Sequence, residues 1–195
     1  VYRQALSLYR SLPGTQEEQA ECLLRCADIA QWVTRRYEEA LTALRQILDL
    51  CGQGDQVRKV RAVCRFRVGT LLVELGRDQE AVAAYRQALD LYTQVAGTGH
   101  QQAICLYNIG NTLDDTGMSK EALDAYQRAM DIYRTLPDTQ QDQANCLHNT
   151  ASTLREATDR HEEALTVYHQ ALDLYRDLPG DQEQDDRPDA GADEG

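Results

Sequence analysis

The densest group of chemically active side chains is a run of five basic residues between positions 58 and 67. No acidic residue interrupts it, and none follows before Val73. Arginine can hold a carboxylate or a phosphate through two parallel hydrogen bonds, so the run could bind an acidic partner. A run of charge is more often simply a solvated helix face, and both interpretations stay open. The five residues are Arg58, Lys59, Arg61, Arg65 and Arg67.

Three asparagines form a second group of interest. Asn108, Asn111 and Asn149 lie inside segments of helical periodicity, although asparagine is a poor residue for a helix interior. An amide both donates and accepts hydrogen bonds, so it can hold a peptide backbone. It can also bond a neighbouring helix, and the two roles carry equal weight.

Residues suited to catalysis or metal binding form no recognisable motif. Cys22 and Cys26 are four residues apart, but no second pair or nearby histidine completes a zinc site. The segment 97–99 has the composition of a linker and not of a phosphate-binding loop. The four histidines fit no HExxH pattern and no Ser-His-Asp order; they are His100, His148, His161 and His169. We therefore expect no catalytic residue, no metal, no cofactor and no enzymatic activity.

A unit of 41 or 42 residues recurs along the chain and must position these groups. Ala40, Ala81, Ala122 and Ala164 open equivalent segments, most of which read Ala-x3-Tyr-x2-Ala. Such a unit cannot bury its apolar face alone, so it stacks on its neighbours. The prediction is an all-α fold, a right-handed α-solenoid of helix-turn-helix units.

The units divide the chain at linkers rich in proline and glycine. Within each full unit, apolar residues at helical spacing mark two helices around a short turn. The recurring tyrosines of the second helices are expected in the core. We expect an orphan second helix with its linker at 1–19, units at 20–60, 61–102, 103–143 and 144–180, and a disordered acidic tail at 181–195.

Charge is distributed unevenly along the sequence. The formal net charge is −12; residues 1–100 are nearly neutral and residues 181–195 alone contribute −6. This asymmetry argues against general nucleic-acid binding. No stretch approaches 18 consecutive apolar residues, so we expect no membrane-spanning helix. The chain begins without Met and inside a helix pattern, so we expect it to be part of a longer protein.

Four of the six cysteines recur at one position of the unit. They are Cys22, Cys64, Cys105 and Cys146. A small, weakly polar residue at a buried seam explains this recurrence better than a disulfide framework does. Reduced structural thiols in turn predict a cytoplasmic location.

Residues 20–178 resemble tetratricopeptide repeats. The resemblance rests on the pairs Val68-Gly69 and Ile109-Gly110, the glycine turn and the Ala-x3-Tyr-x2-Ala series. The step of 41–42 residues is similar to the kinesin-light-chain type, and the linkers are similar to bacterial arrays beside CHAT protease or signalling NTPase domains. The chain departs from the family at the early tryptophan and lacks the terminal proline. The tryptophan position holds Leu23, Arg65, Leu106 and Leu147.

The resemblance implies that the first helix of each unit lines a concave groove for a peptide or protein. Of the basic residues, it places Arg25 and Arg67 in the groove and the remainder of the run at its rim. The expected groove residues are Arg25, Asp28, Phe66, Arg67, Thr70, Tyr107, Asn108, Asn111, His148 and Asn149.

These features together predict a peptide- or protein-binding scaffold, the recognition part of a larger bacterial protein. Its partner is expected to be acidic, with self-association through the solenoid ends also open. One alternative is a sensor module that regulates an attached or partner enzyme, of the CHAT protease or signalling NTPase type. A nucleic-acid-associated module acting through the basic run is a less favoured alternative.

The recurrence of the cysteines gives a first prediction. Because packing explains their position, all six cysteines should react as thiols when the protein is titrated in denaturant without reductant. Intramolecular bridges found by mass spectrometry would contradict both the packing role and the reducing compartment.

Overall fold

The structure, a computed structural model, describes residues 37–50, 55–157 and 160–178. The predicted orphan helix, the predicted groove residues Arg25 and Asp28, and the acidic tail lie outside the described residues.

Seven α-helices make up the described part of the chain, which contains no strand. They are α1 (Tyr37–Leu50), α2 (Asp55–Glu74), α3 (Asp78–Tyr92), α4 (Gly99–Asp115), α5 (Ser119–Tyr133), α6 (Gln140–Ala157) and α7 (His161–Arg176). The most extensive contacts join α2 to α3, α4 to α5 and α6 to α7, and each of these hairpins packs on the helix that precedes it in the chain. The all-α solenoid prediction is confirmed.

The first helix of each hairpin begins earlier than the sequence pattern indicates. Its start lies at Asp55, Gly99 and Gln140, ahead of the unit boundaries set at 61, 103 and 144. The opening turn of each of these helices is mostly polar, so apolar periodicity does not mark it. The apolar pattern becomes visible only at Ala62, Ala103 and Ala144, all of which are fully buried.

Small side chains occupy the seams between helices. Ala81, Ala122 and Ala129 are fully buried, and so are Cys105 and Cys146. Burial raises the pKa of both thiols to about 12, so each is protonated and poorly nucleophilic at neutral pH. The structure thus places these recurring cysteines in packing positions.

A buried threonine fixes the linker between successive hairpins. The Thr98 hydroxyl donates to the carbonyl of Tyr92 at 2.6 Å, and the Thr139 hydroxyl donates to that of Tyr133 at 2.8 Å. A glutamine four residues later donates to each threonine oxygen, as Gln143 does at 3.0 Å. These bonds satisfy carbonyls at the end of one hairpin and join them to a glutamine in the first turn of the next helix.

Two helix–helix contacts are so close that only glycine fits. A Cβ added at Gly69 would lie 2.6 Å from Cε1 of Tyr85, and one added at Gly110 would lie 2.6 Å from Cδ1 of Tyr126. Both tyrosines are at most 2% exposed. The ring of the second helix therefore rests directly on the backbone of the first.

This contact predicts an unusual sign for a Gly→Ala change. Alanine in place of a helix-interior glycine ordinarily stabilises by roughly 0.5–1 kcal/mol. At Gly110 the methyl group would force the Tyr126 ring to move, so Gly110→Ala should lower the free energy of unfolding by about 1–3 kcal/mol. Urea denaturation measures this change.

The matched control is Gly99→Ala, whose Cβ would make ordinary contacts with the side chains of Leu136 at 3.4 Å and Ile132 at 3.8 Å. It should leave stability unchanged or raise it. Equal responses at the two glycines would show that the Tyr126 contact does not limit packing.

Candidate functional site

The eight described groove residues fall on three successive first helices at matching positions. Phe66, Arg67 and Thr70 of α2 are repeated 41 residues later as Tyr107, Asn108 and Asn111 of α4. The third set, on α6, is His148 and Asn149. All are half-buried except His148, which is exposed. We call these eight residues the first-helix face.

An aromatic ring at the first position of each set packs on a tyrosine of the following second helix. The ring centroids lie 5.4 Å apart for Phe66 and Tyr85, and 6.0 Å apart for Tyr107 and Tyr126. The His148 ring lies edge-on to that of Tyr168 at 5.5 Å. These pairs pack each first-position ring against the second helix of its own hairpin.

A hydrogen-bond network joins the face across α4 and α6. The Asn149 amide nitrogen donates to the Tyr107 hydroxyl at 2.9 Å and to Oδ1 of Asn111 at 2.8 Å. The Tyr126 hydroxyl donates to the same Asn111 oxygen at 2.8 Å. Burial raises the pKa of Tyr126, so this donor keeps its proton throughout the neutral range.

The network leaves specific groups unused. Asn149 donates both amide hydrogens to residues of α4, but its Oδ1 makes no hydrogen bond within the described residues. Asn111 accepts two bonds at Oδ1, whereas its Nδ2 donates none there. An acceptor and a donor therefore remain available side by side on adjacent helices, the pairing that a peptide group requires.

Asn108 behaves differently from the other two amides. Its Nδ2 donates to the carbonyl of Ile104 at 2.8 Å, one turn earlier in the same helix. Thr70 resembles it, since its hydroxyl reaches the carbonyl of Phe66 at 3.3 Å. The Asn108 bond connects no second helix, so Asn108 contributes to the face only by its own exposed atoms. Thr70 differs in one respect, because its Oγ1 also accepts a hydrogen bond from the Tyr85 hydroxyl of α3 at 3.4 Å.

Positive charge on the face is confined to α2. Burial lowers the pKa of the Arg67 guanidinium, an effect that the nearby Tyr92 partly opposes. Arg65 lies two residues earlier, on the other side of the helix, where its counterpart Leu106 is 3% exposed. Helical register sets Arg65 on the opposite side of α2 from Arg67, and its expected place at the groove rim stays a prediction.

Two further polar residues were not singled out from the sequence. Asn145 of α6 accepts a hydrogen bond from the Tyr175 hydroxyl at 2.7 Å, and helix propensity marks it as clearly as it marks Asn149. Asp114 stands three residues after Asn111, and burial raises the pKa of its carboxyl. Its carboxyl lies on α4, in the middle of the face, and is opposite in charge to Arg67 on α2.

A depression of about 570 Å³ lies away from this face, between α3 and α5. Leu106, Ile109 and Leu113 of α4 form its floor, and charged residues of both signs form its rim, among them Arg86 and Asp124. Across residues 37–50, 55–157 and 160–178, no three His, Cys, Asp or Glu side chains are placed to hold a metal ion. Nor is any described helix long and apolar enough to cross a membrane.

The two kinds of asparagine give a prediction. Asn149→Ala removes two bonds between α4 and α6 and should lower the free energy of unfolding by about 1 kcal/mol. Asn108→Ala removes only a bond within its own helix and supplies a better helix former, so it should be neutral or stabilising. Urea unfolding of both variants checks this, and an equal loss in both would contradict the network.

Comparison with solved structures places the fold among known helical repeats. Crystal structures similar to the chain include BtubC from P. vanneervenii, with a TM-score of 0.80 and 16% identity over 92% of this chain and 72% of that one. A putative kinesin light chain from Podospora anserina has a TM-score of 0.71 and 14% identity over 89% of this chain and 82% of that one. Bacillus thuringiensis PlcR was solved with the peptide PapR7 and DNA. It has a TM-score of 0.68 and 15% identity over 90% of this chain and 62% of that one. This chain therefore spans less than two thirds of PlcR.

Sequence comparison identifies the repeats themselves. A search of curated proteins finds no significant match. The tetratricopeptide repeat family model matches residues 62–135 and 121–177, together more than half of the sequence. The chain belongs to the tetratricopeptide repeat family.

Proposed function

We propose that the first-helix face binds an extended peptide segment of a partner protein. The observation that carries the proposal is the unused pair at the centre of the network, the Asn149 oxygen and the Asn111 amide hydrogens. A peptide strand lying across α4 and α6 can donate its N–H to Asn149 and offer its carbonyl to Asn111. Because the network already fixes both amides, binding would cost little side-chain entropy.

Arg67 gives this surface a preference for acidic residues at the α2 end. Its guanidinium lies one repeat step from Asn108 and two from Asn149, so an extended peptide can span them. Asp114 makes the middle of the surface, on α4, less favourable for a second acid. The partner segment would therefore carry its acidic residues towards α2 and neutral residues beside α4 and α6.

Binding selections from a random peptide display library test the proposal. Peptides selected on the 195-residue chain should bind Asn111→Ala with Asn149→Ala about tenfold more weakly, as expected for two lost hydrogen bonds. Arg67→Glu should weaken acidic peptides selectively. Arg128→Glu, an exposed change on α5, is the matched control and should bind as the unchanged chain does.

Selected peptides that bind the double Asn variant with unchanged affinity would overturn the assignment. Circular dichroism and the urea midpoint must first show that each variant is folded. Amide chemical shifts of Asn111 and Asn149 on titration with a selected peptide locate the site directly.

The larger context is a second part of the proposal. We infer a recognition module in a cytoplasmic bacterial protein, with control of an attached or partner enzyme as the alternative. PlcR supports a recognition role, since that protein was solved with a peptide. If the alternative holds, the selected peptides match a segment of a CHAT-type protease or a signalling NTPase, which the full-length reading frame encodes where the enzyme is attached.

A further inference from the structure

α7 presents two large apolar side chains to solvent. Leu165 is 59% exposed and Leu172 is 42% exposed. At the equivalent positions of earlier second helices, Val82 is 7% exposed and Met130 is 4% exposed. There, the first helix of the next hairpin packs on the second helix. Within the described residues no helix follows α7 to cover these leucines.

The two leucines belong to a longer stripe along one side of α7. Its members are spaced by three and four residues, which places them on a single face of the helix. All five are exposed; they are Glu162, Leu165, His169, Leu172 and Arg176. The order of residue types is symmetric about His169: a leucine lies on each side of the histidine, and a charged residue lies at each end of the stripe. The end charges are opposite in sign.

The end charges have no strong partner within the described residues. Glu162 forms no ion pair in the described residues, whereas its neighbour Glu163 is held by Arg160 at 2.6 Å. Arg176 reaches Asp173 only at 3.8 Å, and both side chains are about two thirds exposed or more. An exposed ion pair of this kind contributes little to the stability of the fold. Both end charges are therefore available to another molecule.

We propose that a second copy of this chain covers the stripe, in a two-fold dimer of antiparallel α7 helices. With the symmetry axis near His169, Leu165 packs near the partner's Leu172. Glu162 then lies opposite the partner's Arg176, and symmetry repeats both contacts. Antiparallel helices also bring opposite ends of the helix dipoles together. The surface is self-complementary in charge and apolar area, which a different partner would not require.

This inference goes beyond the proposed peptide binding and does not depend on it. The stripe lies on a second helix and shares no residue with the first-helix face. Failure of either proposal leaves the other standing.

Charge reversal with mixing gives the sharpest test. Sedimentation equilibrium should show a monomer–dimer equilibrium for the 195-residue chain. Glu162→Arg alone places like charges at both ends of its dimer, and so does Arg176→Glu alone, so each should raise the dimer Kd about tenfold. In an equimolar mixture the two variants can form a heterodimer in which both end pairs are opposite in sign. Association should therefore return in the mixture. Glu121→Arg, an exposed first-turn acid of α5, is the control and should change nothing.

The leucines supply an independent arm. Leu165→Glu with Leu172→Glu should give a folded monomer, because both side chains are exposed and circular dichroism should stay unchanged. Met118→Glu, at another exposed apolar residue, should dimerise normally. A chain that is monomeric at the highest concentration reached would assign the stripe to some other partner and overturn the proposal. The proposal would also be overturned if the double leucine variant still formed dimers, or if the mixture of charge variants failed to associate.

Discussion

The close approach of tyrosine rings to glycine backbone sets the geometry on which the rest of the molecule depends. In two hairpins the ring of Tyr85 or Tyr126 occupies space that any Cβ at Gly69 or Gly110 would need. Helix axes can approach this closely only because one side chain is missing. The ring in turn fills the gap and excludes water, so the hairpin has one well-defined packing. Stacking hairpins of fixed shape then produces a regular solenoid.

The same tyrosines connect the core to the candidate site. Each ring lies on the backbone of the first helix and its hydroxyl emerges beside the first-helix face. There the Tyr126 hydroxyl donates to Asn111, and Asn111 accepts a second bond from Asn149 of the next hairpin. A buried packing contact thus orients a surface amide. In the last described hairpin Ala151 stands at the glycine position, and Tyr168 is only half-buried. The first-helix face differs in this hairpin too, since His148 is exposed whereas Phe66 and Tyr107 are half-buried.

The repeat pattern predicted the architecture and much of the core because helix period and stacking are local properties. Ala81, Ala122 and Cys105 are buried where the pattern placed them. It did not predict where each first helix starts, because turns such as Gly99–Gln102 carry no apolar signal. Nor could it choose between the two roles of Asn149. That choice depends on bonds to Tyr107 and Asn111, which lie 42 and 38 residues away in sequence. In the structure the Asn149 amide nitrogen bonds the neighbouring helix, and its peptide-binding role stays a proposal.

The two proposed surfaces occupy different helices, and this separation has a consequence for binding. Each helix of a solenoid packs on its hairpin partner and on the adjacent repeat, which leaves one side open. The open side of the first helices carries the amides, while the stripe lies on α7, a second helix. A two-fold dimer through α7 would therefore leave both first-helix faces accessible and hold them at a fixed separation. A partner with two copies of a segment, or a partner that is itself a dimer, could then bind both faces at once. The second contact would form at a high effective concentration, so two weak peptide sites would suffice for stable recognition.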